Sequence, residues 1–146
     1  MIFKGAIISA LVLAASAQRV VDVTPCENPG NGKLTEFTVT PCTTDPCELK
    51  KGANINFGFK YLSDQDSKTV SLKGTVTGPF GIKIPIPGLE NDFCKIVQCP
   101  IEKDKTYVGS MDLKIAKVPI SKTTVEMNVS GDAGLSACFR FPVKLL

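Results

Sequence analysis

The chain has 146 residues, a formal net charge of +3, and neither histidine nor tryptophan. Without histidine it lacks the commonest general base, the usual nitrogen ligand of zinc and the usual endosomal pH switch. Its charges are scattered and form no basic block, which argues against a nucleic-acid partner. The length fits one domain of the common size of about 100–150 residues.

The chain begins Met1-Ile2-Phe3-Lys4, continues as an apolar run over residues 6–15, and reaches Ala15-Ser16-Ala17. A basic start, a short apolar core and a small-x-small end describe a secretory signal peptide over 1–17. The run is too short for a membrane helix, which needs about 20 apolar residues. Cleavage after Ala17 leaves residues 18–146 as one exported domain. The expected destination is extracellular, with the lysosomal lumen as the alternative.

Strand signals dominate the rest. Val21 and Val23 against Asp22, Thr24 and Cys26 predict a first strand. Leu34 to Thr40 reads as a second strand with a blurred pattern. Ile55, Phe57, Phe59 and Tyr61 alternate with polar or small residues, as do Val70, Leu72 and Val76. Tyr107, Met111, Leu113 and Ile115 make a further strand, followed by Val125, Met127 and Val129. Ala137, Phe139, Phe141, Val143 and Leu145 form the last. Period two marks a strand with one buried face. Turn clusters such as Asn28-Pro29-Gly30-Asn31-Gly32 and Ser130-Gly131-Asp132-Ala133-Gly134 separate these runs. The pattern predicts an all-β, antiparallel sandwich or barrel.

Phe80, Ile82, Ile84 and Ile86 share one parity in a segment where Pro85 and Pro87 cannot donate ladder hydrogen bonds. Such a strand lies at a sheet edge or leaves the sheet. It forms either the lip of a cavity or an ordinary edge over a core.

Six cysteines complete the pattern, with Cys42/Cys47 and Cys94/Cys99 nested inside Cys26/Cys138. An even count in an exported chain reads as a disulfide framework, here two loop clips and one terminal clasp. Cys26 and Cys138 share the polar parity of the first and last strands, which places those strands side by side. The rival is a zinc site made by the two Cys-x4-Cys pairs. Export, the wide spacing and the two extra cysteines weigh against it, so no metal and no cofactor is expected. There is no nucleophile elbow, phosphate loop or metal cluster, so no enzyme is expected either. Asn128-Val129-Ser130 is a glycosylation sequon, with Asn128 on a polar strand face.

Cys94-Lys95-Ile96-Val97-Gln98-Cys99-Pro100-Ile101-Glu102-Lys103-Asp104-Lys105-Thr106-Tyr107 resembles the core of the ML (lipid-recognition) domain family. Ile84-Pro85-Ile86-Pro87, the nested cysteines and Cys138-Phe139-Arg140-Phe141-Pro142-Val143 carry the same resemblance. It covers nearly all of residues 18–146, and extends to the family's secreted sterol-transfer and mite-allergen branches. It implies an immunoglobulin-like sandwich of two antiparallel sheets with an apolar ligand between them. It also implies the pairs Cys26–Cys138, Cys42–Cys47 and Cys94–Cys99. Ile86 stands where sterol-binding members carry a phenylalanine at the tunnel mouth, and Tyr107 matches a pocket-lining tyrosine. Phe139 stands where a tryptophan is often found.

Taken with strand parity, the resemblance assigns a lipid pocket to Phe57, Phe59, Leu72, Ile84, Ile86, Tyr107, Met111, Met127 and Phe141. Parity does not separate pocket wall from packed core. The expected function is a secreted monomeric carrier of a sterol or similar lipid, in transient contact with a membrane or receptor. The alternatives are a carrier of semiochemicals or fatty acids, or immune recognition of a microbial lipid.

Overall fold

The computed structural model describes residues 17–146. The signal-peptide reading lies outside the described residues except at Ala17. Ten strands follow in order: β1 (Arg19–Val20), β2 (Thr24–Pro25), β3 (Lys33–Thr40), β4 (Cys47–Leu49), β5 (Asn54–Leu62), β6 (Val70–Thr77), β7 (Lys83–Pro85), β8 (Thr106–Lys114), β9 (Lys122–Gly131) and β10 (Gly134–Leu145). They form a sandwich of a four-stranded sheet, β1-β3-β5-β8, and a six-stranded sheet, β2-β10-β9-β6-β7. β4 joins the second sheet by pairing in parallel with β10.

The alternation read from the sequence builds the interior. Ile55, Phe57, Phe59 and Tyr61 of β5 are all buried, and so are Val125, Met127 and Val129 of β9. Phe37 joins the two layers, its ring 5.5 Å from Phe57, 5.3 Å from Phe139 and 4.9 Å from Phe141. The blurred pattern of β3 has a physical cause. The register against β5 shifts between Leu34 and Glu36, so Thr35 is an extra residue and the side-chain sequence changes face there.

The first strand departs from expectation. It is two short pieces, with β1 paired to β3 and β2 paired to β10. The chain therefore crosses from one sheet to the other between Val20 and Thr24. Of these two pieces only β2 lies beside the last strand, as expected of the first strand. Cys26 and Cys138 are bonded there, with Cα atoms 5.5 Å apart, and the Cys26 N–H donates to the Cys138 carbonyl at 3.2 Å. Cys138 is buried, so its place is not the solvent-facing one that parity suggests. Cys42–Cys47 and Cys94–Cys99 are the other two bonds. All four cysteines of the rival zinc reading are bonded in these two pairs. A cross-link spanning 112 residues stabilises by about 4–5 kcal/mol in the chain-entropy treatment.

At one end the sheets are joined by buried polar groups. The Tyr61 hydroxyl of β5 hydrogen-bonds the Ser136 hydroxyl of β10. Ser136 in turn donates to the Asp64 carboxylate at 2.6 Å. The Gln65 side chain accepts from the Ala133 N–H at 2.9 Å and donates to the Gly134 carbonyl at 3.3 Å. The turn after β5 is thereby pinned to the β9–β10 hairpin. Ser136 occupies a second register shift, between Leu135 and Ala137, which turns its hydroxyl inward. Tyr61→Phe removes the inter-sheet bond while keeping the ring. It is expected to lower unfolding free energy by about 1–2 kcal/mol in urea titrations, and an unchanged midpoint would show that the junction carries no load.

Candidate functional site: an apolar cavity between the sheets

The other end of the sandwich is hollow. A cavity of about 180 Å³ has Phe57 of β5 and Leu113 of β8 on one side. Val76, Val125 and Val143 of the six-stranded sheet stand on the other, with Leu49 and Leu145 beyond them. Two segments form its lips. One runs through Pro79, Ile84, Ile86 and Pro87; the other is the β8–β9 connection, with Ile115, Ala116, Val118, Pro119 and Ile120. Lys114 is the one charged residue of the lining.

The first lip is an edge strand, as the prolines require. Among the described residues β7 pairs only with β6, placing Pro85 opposite Thr75. Beyond it the chain turns in, and the Ile86 N–H donates to the Gly74 carbonyl at 3.0 Å. Gly74 leaves the space that Ile86 and Leu89 occupy. A Cβ there would stand 2.7 Å from Leu89 Cδ2 and 2.9 Å from Ile86 Cδ1. The shared parity of Phe80 to Ile86 breaks at the hairpin tip. Phe80 has φ of 61°, followed by Gly81 at 74°, and this turn frees the Phe80 and Ile82 side chains from the sheet's alternation. Phe80 is 100% exposed and Ile82 59%, whereas Ile84 and Ile86 line the cavity.

On the outer face the lip is tied by charge. Lys83 Nζ lies 3.0 Å from a Glu126 carboxylate oxygen, reaching across β6 to β9. Arg140 Nε of β10 donates to the same oxygen at 2.8 Å. The Arg140 hydrogen bond is the main reason the Glu126 carboxyl is held below the ordinary glutamate range; burial opposes the shift and Lys83 adds to it. Glu126 also lies close to the Cys26 and Cys138 sulfurs. Those sulfurs are bonded to each other, so the three do not make a thiolate metal site.

A second, smaller void of about 20 Å³ lies deeper, with Phe57, Phe59, Leu72, Met111 and Met127 in its wall. The nine expected pocket residues therefore divide. Phe57, Ile84 and Ile86 line the outer cavity, while Phe59, Leu72, Met111 and Met127 line the inner void. Tyr107 lines neither: its hydroxyl accepts from the Glu102 N–H at 2.8 Å and so closes the turn before β8. Phe141 lines neither, packing on Phe37 and Phe139 in the aromatic centre. Asn128 lies on central strand β9 between Lys73 and Cys138, with its Oδ1 buried and unpartnered.

The sequence reading missed most of the second lip. Residues 116–120 have no period, and only their density of Ile, Val and Pro hints at an apolar surface. Val143 and Leu145 share the parity of Phe141 and were reachable by extending it.

The ML domain family profile matches residues 20–145. The chain belongs to the ML domain family. It is 33% identical over 133 residues to mite group 2 allergen Lep d 2 of Lepidoglyphus destructor, covering 88% of this chain and 89% of that one. It is 34% identical over 142 residues to NPC intracellular cholesterol transporter 2 of Bos taurus, covering 92% and 93%. Among solved structures, a Niemann-Pick type C2 protein from the Japanese carpenter ant superposes with a TM-score of 0.74 at 18% identity, covering 86% of this chain and 99% of that chain. That likeness establishes a shared fold. Within this ML domain the cavity lies between the two sheets, with its lips on segments outside the main strands.

The charge tie has a pH signature. A depressed folded-state pKa adds stability above the unfolded value, and that stability is lost as pH falls through the folded one. Glu126→Gln is expected to cost about 1 kcal/mol at pH 7, a gap that closes below pH 4. Denaturant titrations from pH 7 to pH 3 check this; a gap that is constant with pH would contradict it.

Proposed function

We propose that this protein is a secreted lipid carrier that holds a sterol or similar hydrophobic molecule in the cavity and exchanges it with a membrane or receptor. The observation that carries the reading is an apolar hollow between the sheets of an ML domain, bounded by two apolar lips. Burying apolar surface yields about 25 cal/mol per Å². A ligand that hides roughly 200 Å² thus gains about 5 kcal/mol from contact with walls that offer almost no polar partner. Recognition of this kind is set mainly by shape. Met111 and Met127 add adaptability, since the unbranched, flexible methionine side chain conforms to irregular space. The name of the bovine relative, a cholesterol transporter, supports the sterol reading. Ile86 gives the mouth an aliphatic contact. Three disulfides and the signal-like start support export. Among the described residues no helix is long and apolar enough to cross a membrane.

Exchange needs the mouth to meet an apolar phase. Phe80 and Ile82 stand at the tip of the lip that carries Ile84 and Ile86, which suits them to contact lipid during transfer.

The decisive experiment is mass spectrometry of the lipid extracted from native protein, paired with titration of sterols, fatty acids and an apolar fluorescent probe. A co-purifying lipid and micromolar or tighter binding are expected; failure of the whole panel would refute the carrier function. Ile84→Asp and Val118→Asp each place a charge on a lip facing the cavity and are expected to weaken binding at least tenfold. Phe80→Asp is expected to leave binding within twofold while slowing transfer to vesicles at least fivefold in a stopped-flow transfer assay. Equal transfer rates would remove the tip from the mechanism.

A further inference from the structure

The outer cavity and the inner void are not the only hollows. A third, an open groove of about 420 Å³, lies on the surface between the residue 29–33 loop and β10, with Val23, Pro25, Leu34, Ala137 and Phe139 in its wall. The three share boundary residues in sequence. Phe57 faces both the outer cavity and the inner void. Leu34 and Phe139 face both the inner void and the groove. Each neighbouring pair of hollows thus has at least one wall side chain in common. Leu34 is only half-buried, because the β3 register shift sets it at the rim of the interior. The loop that floors the groove is fixed in place: the Gly32 N–H donates to the Ser136 carbonyl at 2.8 Å, and the Cys138 N–H donates to the Pro29 carbonyl at 3.0 Å.

We infer that these hollows are one interrupted passage through the sandwich, and that it takes an unbranched long-chain amphiphile lengthwise. Phe57 is the inner gate, and Leu34 with Phe139 is a rear gate opening at the groove. The chain's polar head stays at the lips and its ω end lies between Leu34 and Phe139. The inference rests on the carrier function proposed above and adds to it a rear opening and a ligand shape. A compact ring system fills the outer cavity and stops at Phe57. A single chain, narrower than a ring system, threads past it once the Phe57 ring turns about its side-chain bonds.

The test uses saturated carboxylates of 8 to 20 carbons, and an 18-carbon carboxylate bearing a diazirine at its ω end. Affinity is expected to keep rising with length, by up to about fourfold per buried methylene, beyond the length at which the outer cavity is full. Irradiation is expected to cross-link the probe to peptides holding Leu34 or Phe139. Leu34→Trp, which thickens the rear wall, is expected to weaken the 18-carbon acid at least tenfold and leave the 10-carbon acid within twofold. A plateau at short lengths, or cross-links confined to residues 84–87 and 115–120, would overturn the passage while leaving the carrier function standing. Failure of every carboxylate and sterol to bind would overturn both.

Discussion

One buried hydrogen bond between the sheets, from Tyr61 on β5 to Ser136 on β10, sets what the rest of the sandwich can do. A two-sheet fold with a full core is held by contact along its whole length. A hollow one lacks those contacts at the empty end, and every wall facing a void forfeits attraction to a missing partner. The closed end must then hold the sheets in register. Tyr61, Ser136 and Asp64 do this with polar groups that an apolar ligand cannot replace. Such groups are costly to leave unpaired, so the junction is specific to one alignment.

The disulfides fit the same division of labour. Cys26–Cys138 anchors β2, a strand of two residues, to the long β10. Cys94–Cys99 clips the loop that runs from the first lip to β8, and Cys42–Cys47 secures the start of β4. None of the three crosses the mouth. The lips are held by lighter means: the short β6–β7 pairing, the Ile86–Gly74 hydrogen bond and the Lys83–Glu126–Arg140 tie. The covalent and buried polar ties thus lie away from the mouth, an arrangement suited to a cavity whose filling changes.

How much of this could be read from the sequence depends on element length. β5, β9 and β10 run nine to twelve residues and show their period plainly, so Phe57, Phe59 and Met127 were legible as inward. β1, β2 and β4 have two or three residues, too few for any period, and their pairing is dictated by distant partners. Parity failed where the backbone broke it: at Thr35, where a bulge resets the faces, and at Phe80, where a left-handed residue turns the chain. Tyr107 was placed in the pocket by resemblance, yet its hydroxyl is engaged by the Glu102 N–H. Most of the second lip was hidden because residues 116–120 follow no regular pattern. Its apolar character appears only when the fold sets it against Ile84 and Ile86.

The two ends of the sandwich differ: one holds a cavity between apolar lips, the other a buried polar junction. Amide hydrogen exchange of the free protein and of the protein saturated with cholesterol tests this directly. Ligand should slow exchange in residues 76–87 and 113–121 while leaving the amides around Ser63, Gln65 and Asp132 unchanged. Protection that appears at the Tyr61–Ser136 end, with none at the lips, would contradict it.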